Sequence, residues 1–226
     1  MKGERMQAFH NDPKIKQKYL RRVRAHAKAD EIIKGKYWEK GKGCAVGCTI
    51  HSGEHKRYET ELGIPQWLAR LEDQIFEGLP QKEAMKWPVQ FLKAIKTGSF
   101  LEKIKIPMLI FIAESAREKT KNKKSLAAID GVLLQLKKDV LDLPALREAR
   151  GAAYAAAAAA YAVAEAVAEA AAYAAAAADA AVAEAVAEAA AYAAAYAAAA
   201  ADAAYARENE YVKFADKLLE LIKNCT

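Results

Sequence analysis

Apolar side chains recur every three or four residues through most of this 226-residue chain, which is the period of an amphipathic helix. The pattern predicts helices over residues 11–37, about 44–62, 66–79, 81–96, 107–119 and 125–140. A final helix carries Tyr211, Phe214, Leu218, Leu221 and Ile222 on one side. The β-branched run at residues 106–112 would also fit a strand, but the pattern around it is helical. The sequence therefore predicts an all-α protein.

Local signals place several helix ends. Asp12 followed by Pro13 is typical of a helix start, and Gly63 is typical of a helix end. Pro88 should kink the fourth helix or mark its true start. The glycine-rich stretch 36–43 indicates a turn, and Ser52-Gly53 weakens the 44–62 helix enough to bend or break it.

Residues 151–206 are alanine-rich and contain an internal repeat. The segment AVAEAVAEAAAYAAA occurs at 162–176 and again nineteen residues later, at 181–195. On one straight helix that separation would rotate the second copy by about 100°, so the two amphipathic copies would not share a face. We therefore expect breaks near Asp179 and Asp202 and a hairpin or bundle of antiparallel helices. The predicted domains are a mixed helical part, 1–145, and this alanine-rich part with the C-terminal amphipathic helix, 146–226.

Composition indicates a reduced, cytoplasmic protein. The alanine tract is the one apolar run long enough to span a bilayer, and it carries acids and tyrosines throughout. The first twenty residues lack the apolar core of a signal peptide. Three cysteines, two of them close together, do not form a disulfide framework. We expect no membrane partner.

The net charge of +6 is unevenly distributed. Residues 151–226 carry ten acidic and four basic side chains, whereas residues 1–150 carry 31 basic and 19 acidic ones. The basic part can attract the acidic part or an anionic partner, or it can simply be solvated. Nucleic acid is a candidate partner for the first helix, whose cations are Lys14, Lys18, Arg21, Arg22, Arg24 and Lys28.

The residues with the most reactive side chains are concentrated between Gly43 and Tyr58. Cys44, Cys48, His51 and His55 are spaced by four, three and four, which would align them along one side of a helix. We expect this stripe to face the interior near Glu72, which lies on an apolar stripe of its own. Pairs such as His51 with His55, or Cys44 with Cys48, could chelate zinc or iron, with Glu72 as a further ligand. Asp73 and Glu77 should face water.

Three other interpretations of this segment are open. Residues 51–55, HSGEH, resemble the H-x-x-E-H motif of inverzincin metalloproteases, in which two histidines hold zinc and the glutamate, here Glu54, activates water. Cys48 with His51 or His55 could instead form a nucleophile and its base. The simplest interpretation is a buried polar stripe in which cysteine acts as a small apolar residue.

The wider segment 38–80, which runs from WEKGKGCAVGCTIHSGEHKRY to EDQIFEGLP, resembles a family of uncharacterised bacterial and phage proteins. Because that family has no settled activity, the resemblance implies no mechanism for this protein. The alanine-rich tail is similar in composition to immunity proteins. The leading functional prediction is a non-catalytic binding or assembly protein, with a protein partner or self-association. The alternative is a metal-dependent hydrolase centred on His51, Glu54 and His55, with Glu72.

Overall fold

The computed structural model describes residues 6–119, 123–138 and 203–225. The described residues form nine α-helices and one hairpin of two-residue strands, which confirms the predicted all-α fold. The helices are α1 Pro13–Lys28, α2 Ala45–Ile50, α3 Arg57–Leu62, α4 Gln66–Gly78, α5 Gln81–Ala84, α6 Trp87–Ala94, α7 Lys105–Lys119, α8 Lys123–Leu136 and α9 Ala203–Asn224. The strands are β1 Trp38–Glu39 and β2 Lys42–Gly43, and 3₁₀ turns occupy Ala8–Asn11 and Leu101–Ile104.

Two compact units can be distinguished, residues 1–105 with residues 215–226, and residues 106–214. The predicted boundary near residue 145 lies outside the described residues, as do the alanine-rich repeats and the predicted breaks at Asp179 and Asp202. No helix in the described ranges is long and apolar enough to cross a membrane.

The first unit is built around α4, which contacts α2, α3 and α6. Because neighbours lie on several sides, α4 buries eight of its thirteen residues, including Leu68, Ile75 and Phe76. The largest side chains of this core also include Trp87 and Phe91 from α6. Pro88 stands in the first turn of α6, so it marks the true start of that helix.

The first helix is shorter than its apolar pattern predicts. The side chain of Asp12 accepts a hydrogen bond from the Lys14 N–H, as expected of the cap, but α1 ends at Lys28 rather than near residue 37. The backbone beyond it pairs elsewhere: the Ile33 N–H donates to the Gly43 carbonyl at 2.8 Å, and the Gly43 N–H donates to the Glu31 carbonyl at 3.1 Å. These bonds to a distant segment replace the helical ones.

The turn predicted over residues 36–43 is a tight hairpin. Trp38 pairs with Gly43, and Glu39 pairs with Lys42. Lys40 and Gly41 connect the strands with φ angles of 49° and 83°. Two positive φ angles in a two-residue loop are typical of the type I′ turn, which matches the twist of the strands.

The predicted helix over 44–62 is broken into α2 and α3. His51 ends α2 in the left-handed conformation, with φ 55°, and α3 does not begin until Arg57. The break includes the Ser52-Gly53 pair at which the sequence predicts one. Gly63 ends α3 with φ 60°, as predicted.

The second unit contains a charged contact that is mostly buried. Glu210 is 2% exposed and accepts hydrogen bonds from Ser115 and Lys119. Burial, together with the neighbouring Lys213 charge, lowers the pKa of Lys119 to about 8. Phe111 and Phe214 meet edge to face beside it, with ring centroids 6.0 Å apart.

A close backbone contact joins the hairpin to α2. The Tyr37 carbonyl oxygen would lie 1.5 Å from a Cβ atom at position 47 and 2.0 Å from one at position 43. Atoms cannot approach that closely, so the contact requires glycine at both positions. The Cys44 N–H donates to the same carbonyl at 3.2 Å.

Gly47→Ala is therefore expected to lower the free energy of unfolding by about 2 kcal/mol or more, because the backbone of residue 37 has to move. The matched control is Gly131→Ala. That glycine lies inside α8, where a Cβ would meet nothing within 4 Å, so alanine should stabilise the helix by about 0.5–1 kcal/mol. Urea unfolding followed by circular dichroism measures both. Equal effects of the two substitutions would contradict the contact.

Candidate functional site

The break at His51 divides the predicted Cys/His stripe between two clusters. Cys44 and Cys48 are buried on α2, and the side chain of His55 is 12% exposed. His51 is exposed and contacts His26 on α1 instead. The prediction that all four side chains face the interior is therefore wrong for His51. Its left-handed backbone ends the helix on which the four residues would have shared a side.

The first cluster, here called the buried acidic cluster, consists of Cys44, His55, Tyr58, Glu72 and Asp73. His55 Nε2 lies 3.5 Å from Asp73 Oδ2, and the Tyr58 hydroxyl lies 3.5 Å from Glu72 Oε2. The Trp87 indole N–H donates to the Glu72 carbonyl at 3.0 Å and holds this turn of α4 in place. Of the four residues predicted to lie near Glu72, Cys44 and Cys48 have thiols whose pKa its charge helps to raise. His55 contacts Asp73, and His51 contacts His26.

Both carboxylates of this cluster are buried, at 0% exposure for Glu72 and 5% for Asp73. The prediction that Asp73 faces water is wrong, because α4 is covered on more than one side. Within the described residues, Glu72 Oε1 and Asp73 Oδ1 have no hydrogen-bond partner. Burial, together with the neighbouring Asp73, raises the pKa of Glu72 well above its usual value, so the protonated form is favoured.

Neither Cys44, which caps α2, nor Cys48, which lies within it, is activated. Burial raises the pKa of the Cys44 thiol, and the charge of Asp73 adds to the effect. Burial raises the pKa of Cys48 to about 12, and its thiol donates to the Gly43 carbonyl at 3.3 Å. Because nucleophilic cysteines react as thiolates, this environment opposes the predicted nucleophile at Cys48. Within the described residues its thiol is not hydrogen-bonded to His51 or His55.

The second cluster, here called the histidine pair, joins His51 to His26 on α1. Their Nε2 atoms lie 2.9 Å apart, so one ring donates a proton and the other accepts it. Glu31 Oε2 lies 2.6 Å from His26 Nδ1 and orients that ring. The Trp38 indole stacks on His51, with ring centroids 4.3 Å apart and planes 13° from parallel.

The surroundings of the histidine pair are cationic. Burial lowers the pKa of His51, and the charges of Arg22, His26 and Arg57 lower it further. A neutral His51 is needed if it is to accept the proton of His26, so these charges support the hydrogen bond between the rings. The arrangement from Glu31 through His26 to His51 can hold and pass one proton.

Sequence patterns do not reveal the histidine pair. His26 and Glu31 are five residues apart within the predicted first helix, where they would not face each other. They meet because α1 ends at Lys28. The one available signal is Trp38, a large aromatic side chain beside a glycine-rich turn.

The segment that resembles the inverzincin motif is not helical. His51 pairs with His26, His55 pairs with Asp73, and Glu54 is exposed between them. The two motif histidines thus have different partners. Among the described residues there is no group of three or more His, Cys, Asp or Glu side chains placed to hold a metal ion.

Five of the six predicted surface cations of α1 are exposed: Lys14, Lys18, Arg21, Arg24 and Lys28. The sixth, Arg22, turns inward and donates to the Thr49 carbonyl at 2.9 Å. Its guanidinium also lies 5.0 Å from the centre of the Tyr19 ring. Arg22 therefore joins α1 to α2 instead of extending the exposed basic face.

Comparison of the chain with protein family models, with curated proteins and with solved structures gives no significant match in any of the three. The resemblance of residues 38–80 to a family of bacterial and phage proteins stays a prediction.

Glu72→Gln is expected to stabilise the protein at pH 7. Because the folded pKa of Glu72 is raised, its contribution to stability is fully present below pH 4.5 and is lost as the pH rises. Above pH 4.5 the free energy of unfolding falls by about 1.4 kcal/mol per pH unit until the pKa of Glu72 in the folded state is reached. Glutamine does not ionise, so the variant avoids this loss. Urea unfolding of both proteins between pH 4 and pH 8 should show the difference growing with pH.

The control is Glu83→Gln, which changes an exposed carboxylate on α5. Its effect should be small and nearly independent of pH. A Glu72→Gln protein that is less stable than wild type at pH 7 would show that Glu72 is ionised and paired with a cation.

Proposed function

We propose that this protein is a non-catalytic binding protein and that α1 contacts the phosphate backbone of a nucleic acid. The observation that carries the proposal is the row of five exposed cations along α1, here called the basic stripe: Lys14, Lys18, Arg21, Arg24 and Lys28. Phosphate contacts of this kind supply most of the affinity of nucleic-acid binding that does not depend on sequence.

The spacing of the basic stripe suits an extended polyanion. At 100° per residue its members fall within an arc of about 120°, and at 1.5 Å per residue they extend over about 21 Å. Because a DNA strand places a phosphate every ~3.4 Å of helix axis, such a row can meet several phosphates of one strand.

The stripe is held on a rigid support. Tyr19 and Val23 bury the opposite side of α1, with exposures of 2% and 0%. Lys16, which is outside the stripe, donates to the Ile95 carbonyl at 2.5 Å and the Lys93 carbonyl at 3.0 Å, anchoring α1 near the end of α6. Ligand binding would therefore not have to order this part of the backbone.

Within the described residues, the side chains of the basic stripe have no acidic partners. Some cations elsewhere in the described residues do lie beside carboxylates: Lys36 with Glu39, Arg57 with Glu61, Arg117 with Asp130 and Lys217 with Glu220. Within the described residues, no cation of the stripe pairs with a carboxylate. Their positive charges are available to an anionic ligand.

The alternative, a metal-dependent hydrolase, is supported by one observation. The buried acidic cluster holds two carboxylate oxygens without a partner among the described residues, and buried carboxylates are commonly paired or bound to metal. His55 is beside them, whereas His51 belongs to the other cluster. We expect elemental analysis of the purified protein to find no stoichiometric metal. Zinc or iron near one equivalent would favour the hydrolase.

The triple substitution Lys18→Gln, Arg21→Gln and Arg24→Gln tests the basic stripe. It should weaken binding to duplex DNA and lower the slope of log affinity against log salt concentration by about 0.9 per lost contact. Fluorescence anisotropy of a labelled 20-base-pair duplex between 25 and 200 mM salt measures both. The charge-matched control is Lys82→Gln, Lys86→Gln and Lys123→Gln, at exposed positions outside α1. Equal losses in both triples, or no binding by wild type at 25 mM salt, would refute the proposal.

A further inference from the structure

Tyr37 is unusual among the large apolar side chains of the first unit. It is 53% exposed, and within the described residues of that unit no other large hydrophobic side chain is so exposed. Isolated exposed apolar residues are common and need no function. Tyr37 stands out because the structure around it fixes its position.

The backbone of Tyr37 is held by the close contact with Gly43 and Gly47 described above. The ring is held as well. A Cβ at position 53 would lie 3.0 Å from Tyr37 Cβ, so Gly53 gives the base of this side chain room. The His55 ring meets the Tyr37 ring edge to face, with centroids 5.4 Å apart, and His55 is itself paired with Asp73. The aromatic ring is therefore exposed to solvent in an already fixed position. A ligand that stacked on it would immobilise this side chain at little further cost in conformational entropy.

The surroundings of Tyr37 connect it to α1, the helix that carries the basic stripe. The next residue, Trp38, places its ring 5.4 Å from that of His26 on α1. On the same hairpin, a cleft of about 290 Å³ is lined by Ile33, Lys36, Glu39, Lys40 and Lys42. Lys36 is paired with Glu39, which leaves Lys40 and Lys42 to carry the positive charge of the cleft.

We infer that the nucleic acid bound by this protein is single-stranded at Tyr37, where one unpaired base stacks on the exposed ring. The basic stripe holds phosphates on one side of that base, and Lys40 and Lys42 meet the phosphate on the other side. This inference rests on the proposed function and adds the class of ligand to it.

The physical reason is that a base can stack on a protein side chain only when it has left its own helix. A duplex offers its phosphates to the basic stripe but keeps its bases stacked on one another. In single strands, stacking on an aromatic side chain contributes to affinity with little dependence on sequence, because every base has a π face.

The test compares three ligands with one assay. Anisotropy is measured for a labelled 12-nucleotide single strand, in both DNA and RNA, and for a 12-base-pair DNA duplex; unlabelled heparin and vesicles with anionic lipid serve as competitors. Tyr37→Ala should weaken single-strand binding about tenfold and leave duplex and heparin binding within twofold. Tyr37→Phe, which keeps the ring, should bind the single strand within twofold of wild type.

The matched control is Leu134→Ala, which removes another exposed apolar side chain, at 65% exposure, and should change no affinity. If Tyr37→Ala fails to fold by circular dichroism, Tyr37→Leu replaces it, because leucine retains apolar bulk but no π face.

Equal losses of single-strand and duplex affinity in Tyr37→Ala would overturn the inference. So would an unchanged single-strand affinity, or preferential binding to the vesicles. If the Lys18, Arg21 and Arg24 substitutions weaken all three ligands while Tyr37→Ala weakens none, the inference fails and the proposed function stands. If neither variant weakens any ligand, both fail.

Discussion

The Tyr37 carbonyl is the point on which the arrangement of the first unit depends. It lies where side chains at positions 43 and 47 would otherwise be, and it accepts a hydrogen bond from the first turn of α2. This contact sets the hairpin against α2, so that Trp38 stacks on His51 and the Tyr37 ring meets His55. A single backbone position thereby organises both clusters and the exposed aromatic ring.

The two clusters differ in how their charges are balanced, and their acid–base properties differ as a result. In the buried acidic cluster, burial and the adjacent Asp73 raise the pKa of Glu72, which favours its protonated form. In the histidine pair, partial burial and nearby cations lower the pKa of His51, while Glu31 orients His26. Each cluster can hold a proton, but in the part of the chain described neither presents an activated nucleophile.

The cations of α1 fall into two groups. Arg22 and Lys16 donate to backbone carbonyls of other segments and fix α1 to its neighbours. The basic stripe occupies the remaining, exposed side of the same helix. Anchoring and exposed charges alternate along one element because a helix presents a new side every residue or two.

The sequence alone determined the helical fold and many of its ends, because these depend on side chains within a few residues of each other. Asp12 caps α1, Pro88 starts α6 and Gly63 ends α3, as their local chemistry predicts. The basic stripe was predictable for the same reason, except for Arg22. Tertiary structure alone decided the early end of α1, the burial of Asp73 and the separation of His51 from the other residues of the predicted Cys/His stripe. Each of these depends on a partner distant in sequence, such as Gly43 for the Glu31 carbonyl, and helical periodicity carries no information about such partners.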